Sequence, residues 1–169
     1  MHRPPPLLLA ILVACSRYSP LAAQSPASAT PGVPSLDSLD LTTRQSIQLA
    51  CSSEMTQGPV AYGRCLNKQL DALRKAPGIP SLDGLEMTTR QSIQLACSSE
   101  MTQGPVAYGR CLNKQLDALR RAPGIPSLDG LDMTTRQSIQ LACSTEMTQG
   151  PVAYGKCLRS QLRSIGIQR

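Results

Sequence analysis

The stretch Ala50–Leu66, ACSSEMTQGPVAYGRCL, decides how this chain folds. It returns unchanged as Ala96–Leu112, and again as Ala142–Leu158 with substitutions only at Thr145 and Lys156. Gly58-Pro59 divides it into two arms with one cysteine each. Pro59 suits the first position of a helix and Gly58 the turn before it. Upstream, Ile47, Ala50, Cys51 and Met55 fall at i, i+3, i+4 and i+8, one face of a helix expected from Thr43 to about Met55. Downstream, Tyr62, Cys65, Leu66, Leu70 and Leu73 keep helical spacing to about Lys75, before Pro77-Gly78 stops the run.

The two cysteines stand level in such a hairpin. Each lies seven residues from Gly58, about 10 Å along its helix at 1.5 Å per residue. A bridge needs alpha carbons roughly 4.4 to 6.8 Å apart, and the small residues Ala50 and Ala61 allow the approach. The expected pairs are Cys51–Cys65, Cys97–Cys111 and Cys143–Cys157.

The stretch sits in a unit of 46 residues that occurs three times. The first two units differ only at Val33/Ile79, Ser38/Gly84, Asp40/Glu86, Leu41/Met87 and Lys75/Arg121. A module this small, without Phe or Trp, buries too little apolar surface to offset its chain entropy comfortably. A staple or a neighbour is required. The expected fold is therefore all-α, a tandem array of three disulfide-stapled αα-hairpin repeats behind a disordered leader and tether. Its parts are an export signal at 1–14, a Ser/Ala/Pro-rich tether at 15–34, and hairpins at 35–76, 77–122 and 123–169.

Within one unit, Thr42-Thr43-Arg44-Gln45 matches a capping box, with Thr42 as N-cap and Gln45 reaching back. The apolar arc of the second helix is wider than one partner needs, and Leu49 falls on the far side of the first helix. The leucine strap of the next unit, Leu82-Leu85-Met87, is the nearest candidate to cover both. Gly63, costly inside a helix, fits close approach of another backbone, and Gln69 is expected to bond a strap carbonyl. In the third unit Arg163-Ser164-Ile165-Gly166 gives the more polar last turn that a terminal repeat needs.

The leader has a short basic start, His2 and Arg3, and eight apolar residues from Leu7 to Ala14, too few to span a bilayer and suited to an export signal. Leu12-Val13-Ala14-Cys15 resembles the bacterial lipobox. The resemblance implies lipidation at Cys15 and sorting to the outer membrane or periplasm. The alternative is cleavage after Leu21-Ala22-Ala23 and release of a secreted protein beginning at Gln24. Either route leaves six cysteines in an oxidising compartment.

The net charge of +6 is distributed rather than clustered. Arg44, Arg64, Lys68, Arg74 and Lys75 alternate with Asp37, Asp40, Glu54 and Asp71, and no basic stripe interleaved with aromatics offers a nucleic-acid surface. The single histidine, His2, lies in the leader, which removes the usual general base and the commonest zinc ligand from the repeats. Glu54, Glu100 and Glu146 stand one per unit, and Glu54 suits a cap on the second helix better than catalysis. Thirteen residues separate paired cysteines, unlike the Cys-x-x-Cys of redox-active sites.

Ala-Cys, Gly-Pro-x-Ala-Tyr and Cys-Leu-x-x-Gln-Leu, over about Leu41 to Leu73 of each unit, resemble the tandem Cys repeat of uncharacterised exported proteobacterial proteins. The resemblance implies export and no particular activity. Mitochondrial twin-cysteine hairpins share the logic but carry two cysteines per helix. Without a catalytic, metal or cofactor constellation, the expected role is a non-enzymatic structural or protein-binding array of the cell envelope, touching the membrane only through its lipid. The other readings are an envelope thiol-redox or copper(I)-handling protein using Cys51, Met55 and Cys65, a soluble secreted protein, and an enzyme built across repeats.

Overall fold

A computed structural model of the chain describes residues 32–167. The leader, Cys15 and the tether up to residue 31 lie outside the described residues. Among those described there are nine helices and no strands, three helices to each repeat. In the first they are α1 (Leu41–Ala50), α2 (Ser52–Met55) and α3 (Pro59–Arg74). The second has α4 (Met87–Ala96), α5 (Ser98–Met101) and α6 (Pro105–Arg121), and the third α7 (Met133–Ala142), α8 (Ser144–Met147) and α9 (Pro151–Ser164). The array of stapled hairpins is thus the fold.

The first arm begins earlier than its capping-box pattern suggests. Asp40, not Thr42, is the N-cap of α1, its carboxylate accepting from the Thr43 amide at 2.9 Å. A charged acceptor facing the positive end of the helix dipole prevails over the threonine two residues on. Glu86 and Asp132 cap α4 and α7. Glu86, one methylene longer, accepts from the amides of both Thr88 and Thr89.

Nor does that arm run unbroken to Met55. It bends at Cys51 (φ −106°, ψ 11°), although Cys51 still donates to Ile47 and accepts from Met55. The Ser52 hydroxyl bonds back to the Leu49 carbonyl at 2.9 Å, a local competition that bends helices. Helix axes usually pack 8–10 Å apart, and a turn of chain at the cysteine helps bring its alpha carbon closer than that.

The second arm follows expectation, with Gly58 at φ +100° and Pro59 opening α3. Glu54 does not cap it. Its carboxylate accepts from Ser53 instead, and Pro59, lacking an N–H, leaves one donor fewer to satisfy.

Each repeat has its own core. In the second, Ile93, Cys97, Tyr108 and Leu112 are buried, with Ile79, Leu82 and Leu85 packed on them. The strap therefore covers its own hairpin rather than the preceding one, and Met87 is exposed to solvent. Val33 packs in the same way on the first core, so that strap starts within the stretch assigned to the tether. Arg44 clasps it from α1, donating to the carbonyls of Asp37 and Leu39 at 3.2 Å; Arg90 and Arg136 repeat the clasp on Leu85 and Leu131.

Repeats then stack, helices α1 and α3 meeting α6, and α4 and α6 meeting α9. Ser46 donates to Met101 and Ser92 to Met147 across the two junctions. The side chain of Gln69 lies over Gly104, and that of Gln115 over Gly150. Gln69 has no bond to a strap carbonyl; the glycine turn of the next repeat takes it in because a Cβ there would collide with it. Leu49 and Leu95, flanked by a following repeat, are less exposed than Leu141, which has none beside it among the described residues.

The chain closes α9 with a Schellman arrangement. Ile167 donates to Leu162 at 2.9 Å and Gly166, at φ +82°, to Arg163 at 3.0 Å. Ile167 packs on the core that contains Leu162, while Arg163 and Ser164 face solvent.

Candidate binding grooves and the disulfide sites

All six repeat cysteines are paired within their own repeat, Cys51–Cys65, Cys97–Cys111 and Cys143–Cys157, each with alpha carbons 5.7 Å apart. Cys51, Cys97 and Cys143 are fully buried. Their partners are half-buried on the helix opposite. Met55 lies largely in solvent, four residues beyond a sulfur already committed to a bridge. Among the described residues no group of three or more His, Cys, Asp or Glu side chains is placed to hold a metal ion.

Gly63 has the close backbone approach expected of it, since the carbonyl of Gly32 occupies the place a methyl would take. Its counterpart Gly109 is less confined, with Gly78 and Ile79 atoms at 3.5 and 3.6 Å from that place. Strap passage over this glycine is common to both repeats, but only at Gly63 does it leave no room.

Concavities of two kinds occur. Open ones lie between the arms of a single hairpin, lined by Glu54, Arg64 and Lys68 in the first repeat and by Glu100, Arg110 and Lys114 in the second. Others are generated by stacking. Where the strap of one repeat meets the start of the first arm of the repeat before it, a groove of about 390 Å³ opens. At the second junction its walls include Glu86, Thr88, Leu128, Arg136, Gln140 and Tyr154. At the first junction Asp40, Thr42, Leu82, Arg90, Gln94 and Tyr108 occupy corresponding places. The groove is thus a repeated object with a capping acid on one wall and, on the other, a strap aspartate (Asp83 or Asp129) and a strap-clasping arginine.

Electrostatics within it follow from burial and capping. Burial pushes the Tyr108 phenol up, and Tyr154 is raised by burial and further by the charge of Glu86. Hydrogen bonds from Thr43 hold Asp40 below the ordinary carboxylate value. Burial alone would raise Glu86, yet the bonds from Thr88 and Thr89 outweigh it and the net shift is downward. Both acids are therefore charged at neutral pH. Two carboxylates to one arginine, with that arginine donating to a strap carbonyl, suit a basic or dipolar segment better than a polyanion.

These grooves escape a reading of the sequence because each combines residues about 40 to 70 positions apart in two repeats. The usable signal is at Thr43, Ser46, Ile47 and Ala50, which extend helical spacing i, i+3, i+4, i+7 with small polar residues. Thr43 and Ser46 are buried.

No helix among the described residues is long and apolar enough to cross a membrane. Set against known protein families, curated proteins and solved structures, the chain matches none of them.

Proposed function

We propose that this chain is an exported, non-enzymatic scaffold of the bacterial cell envelope, held to the membrane by lipid on Cys15, whose stacked repeats present equivalent grooves to a protein partner. The observation that carries this reading is the duplication of one groove at both junctions, with Glu86 and Arg136 at one and Asp40 and Arg90 at the other. Intramolecular pairing of every repeat cysteine fits an oxidising compartment. Repeated sites at fixed spacing favour a partner that engages more than one, since the second contact is then intramolecular.

Photo-crosslinkers at the exposed groove positions Gln94 and Gln140 test it, with exposed Ser99, past the bend of the first arm and outside the groove lining, as control. In intact cells the two groove probes should capture the same envelope protein, and removing residues 77–122 should weaken capture in a graded way. Different products from the two probes, or equal capture from Ser99, would reject the reading. Radiolabelled palmitate should enter the chain and be lost in Cys15→Ser; no incorporation would reject the anchor alone.

A further inference from the structure

Among the described residues one interface is used twice and both of its halves are left uncovered at the ends. The leading half belongs to the turn and the start of the second arm. In repeats two and three, Pro105, Tyr108, Pro151 and Tyr154 are buried by the repeat in front. In repeat one, with none in front among the described residues, Pro59 is exposed, Tyr62 is half-buried and Val60 is 73% exposed. The trailing half lies on the first arm together with Gln69 or Gln115 of the second. Ser46 and Ser92 are fully buried beneath the following repeat, whereas Ser138 is exposed and Leu141 is 76% exposed against 40% for Leu49 and Leu95.

Neither end has been altered to refuse a neighbour. The first repeat keeps Met55, Gly58, Pro59 and Tyr62, counterparts of Met101, Gly104, Pro105 and Tyr108. The third keeps Ser138, Leu141 and Gln161, counterparts of Ser92, Leu95 and Gln115. The polar changes of the last turn, Arg163 and Ser164, lie beyond Gln161, and Ile167 covers Leu162 of its own core. Gly58 has nothing within 4 Å of the place where Gly104 meets Gln69.

We propose that a second copy of this chain docks head to tail, the trailing face of its third repeat on the leading face of the first. Ser138 would donate to the Met55 carbonyl, and Gln161 would lie over Gly58. Such a contact is heterologous: it leaves one free half at each end, so growth continues as a filament unless the rotation per copy closes a ring. The same pairs at both internal junctions mean that the next step repeats the same operation.

Sedimentation velocity on the oxidised chain tests this with Ser138→Glu and Val60→Glu, both at exposed positions. The unaltered protein should show a weight-average mass rising by about twofold or more with concentration. Each variant alone should remain monomeric. Mixed together they should form a dimer and stop there, because the good trailing face of V60E meets the good leading face of S138E. Met55→Glu serves as a second leading-face variant, and circular dichroism checks that all remain folded. A chain that stays monomeric throughout, association that survives in either variant, or a mixture that fails to dimerise would overturn the proposal.

Discussion

Ser46 donates its hydroxyl to the main-chain carbonyl of Met101, 55 residues further along the chain, at 2.9 Å. Ser92 stands in the same relation to Met147, also at 2.9 Å. A small hydroxyl is one of few groups that both lets two repeats approach and satisfies a carbonyl between them. Ser92→Ala should therefore lower stability by about 1 kcal/mol, whereas Ser138→Ala, at the exposed equivalent, should change it by less than about 0.5 kcal/mol. Urea unfolding of the two variants beside the parent gives the comparison, and equal effects would show that the junction bond contributes nothing.

The staples close loops with a sequence separation of 14 residues. Replacing Cys97 and Cys111 together by Ser should cost on the order of 3 kcal/mol, read as a lower denaturation midpoint of the oxidised protein. Added reductant should move the parent in the same direction. An unchanged midpoint in the double variant would mean that stacking alone holds the second repeat.

Two equivalent glycines should answer differently to the same change. At Gly109 the nearest atoms to an added methyl are at ordinary contact distance, so Gly109→Ala should stabilise the helix by up to about 1 kcal/mol. At Gly63 the Gly32 carbonyl stands in the way, and Gly63→Ala should destabilise or displace the first strap. Thermal melts of both variants distinguish them.

Acid should loosen the first arms. Asp40, Glu86 and Asp132 titrate below their ordinary values in the folded chain. The unfolded chain therefore takes up protons first as pH falls. The stabilisation is complete above the unfolded value of about 4 and is lost as pH drops through the lowered folded values. Denaturation midpoints should be flat from neutral to about pH 5 and fall below about pH 4. Asp40→Asn, which keeps a capping oxygen but neither charge nor titration, should lower the neutral midpoint slightly for want of the charge at the helix start and make the acid fall shallower.

The hairpin was legible because helical spacing, the Gly58-Pro59 break and two cysteines seven residues either side of Gly58 all agree. The cap was not. Thr42 and Gln45 match a pattern, but the pattern does not weigh Asp40, whose charge makes it the stronger acceptor at a helix start. The strap failed for another reason: Leu82 and Leu85 announce that they will be buried without saying on which hairpin. The junction grooves were hidden because their walls come from separate repeats, and because Thr43 and Ser46 read as polar surface until something is stacked on them.

Among the described residues, every covalent bond between side chains begins and ends inside one 46-residue unit. A gene that gained or lost a whole unit would never strand an odd thiol or ask the oxidation machinery to sort new partners. Array length is thereby uncoupled from redox chemistry, so duplication can lengthen the protein without first having to rewire it.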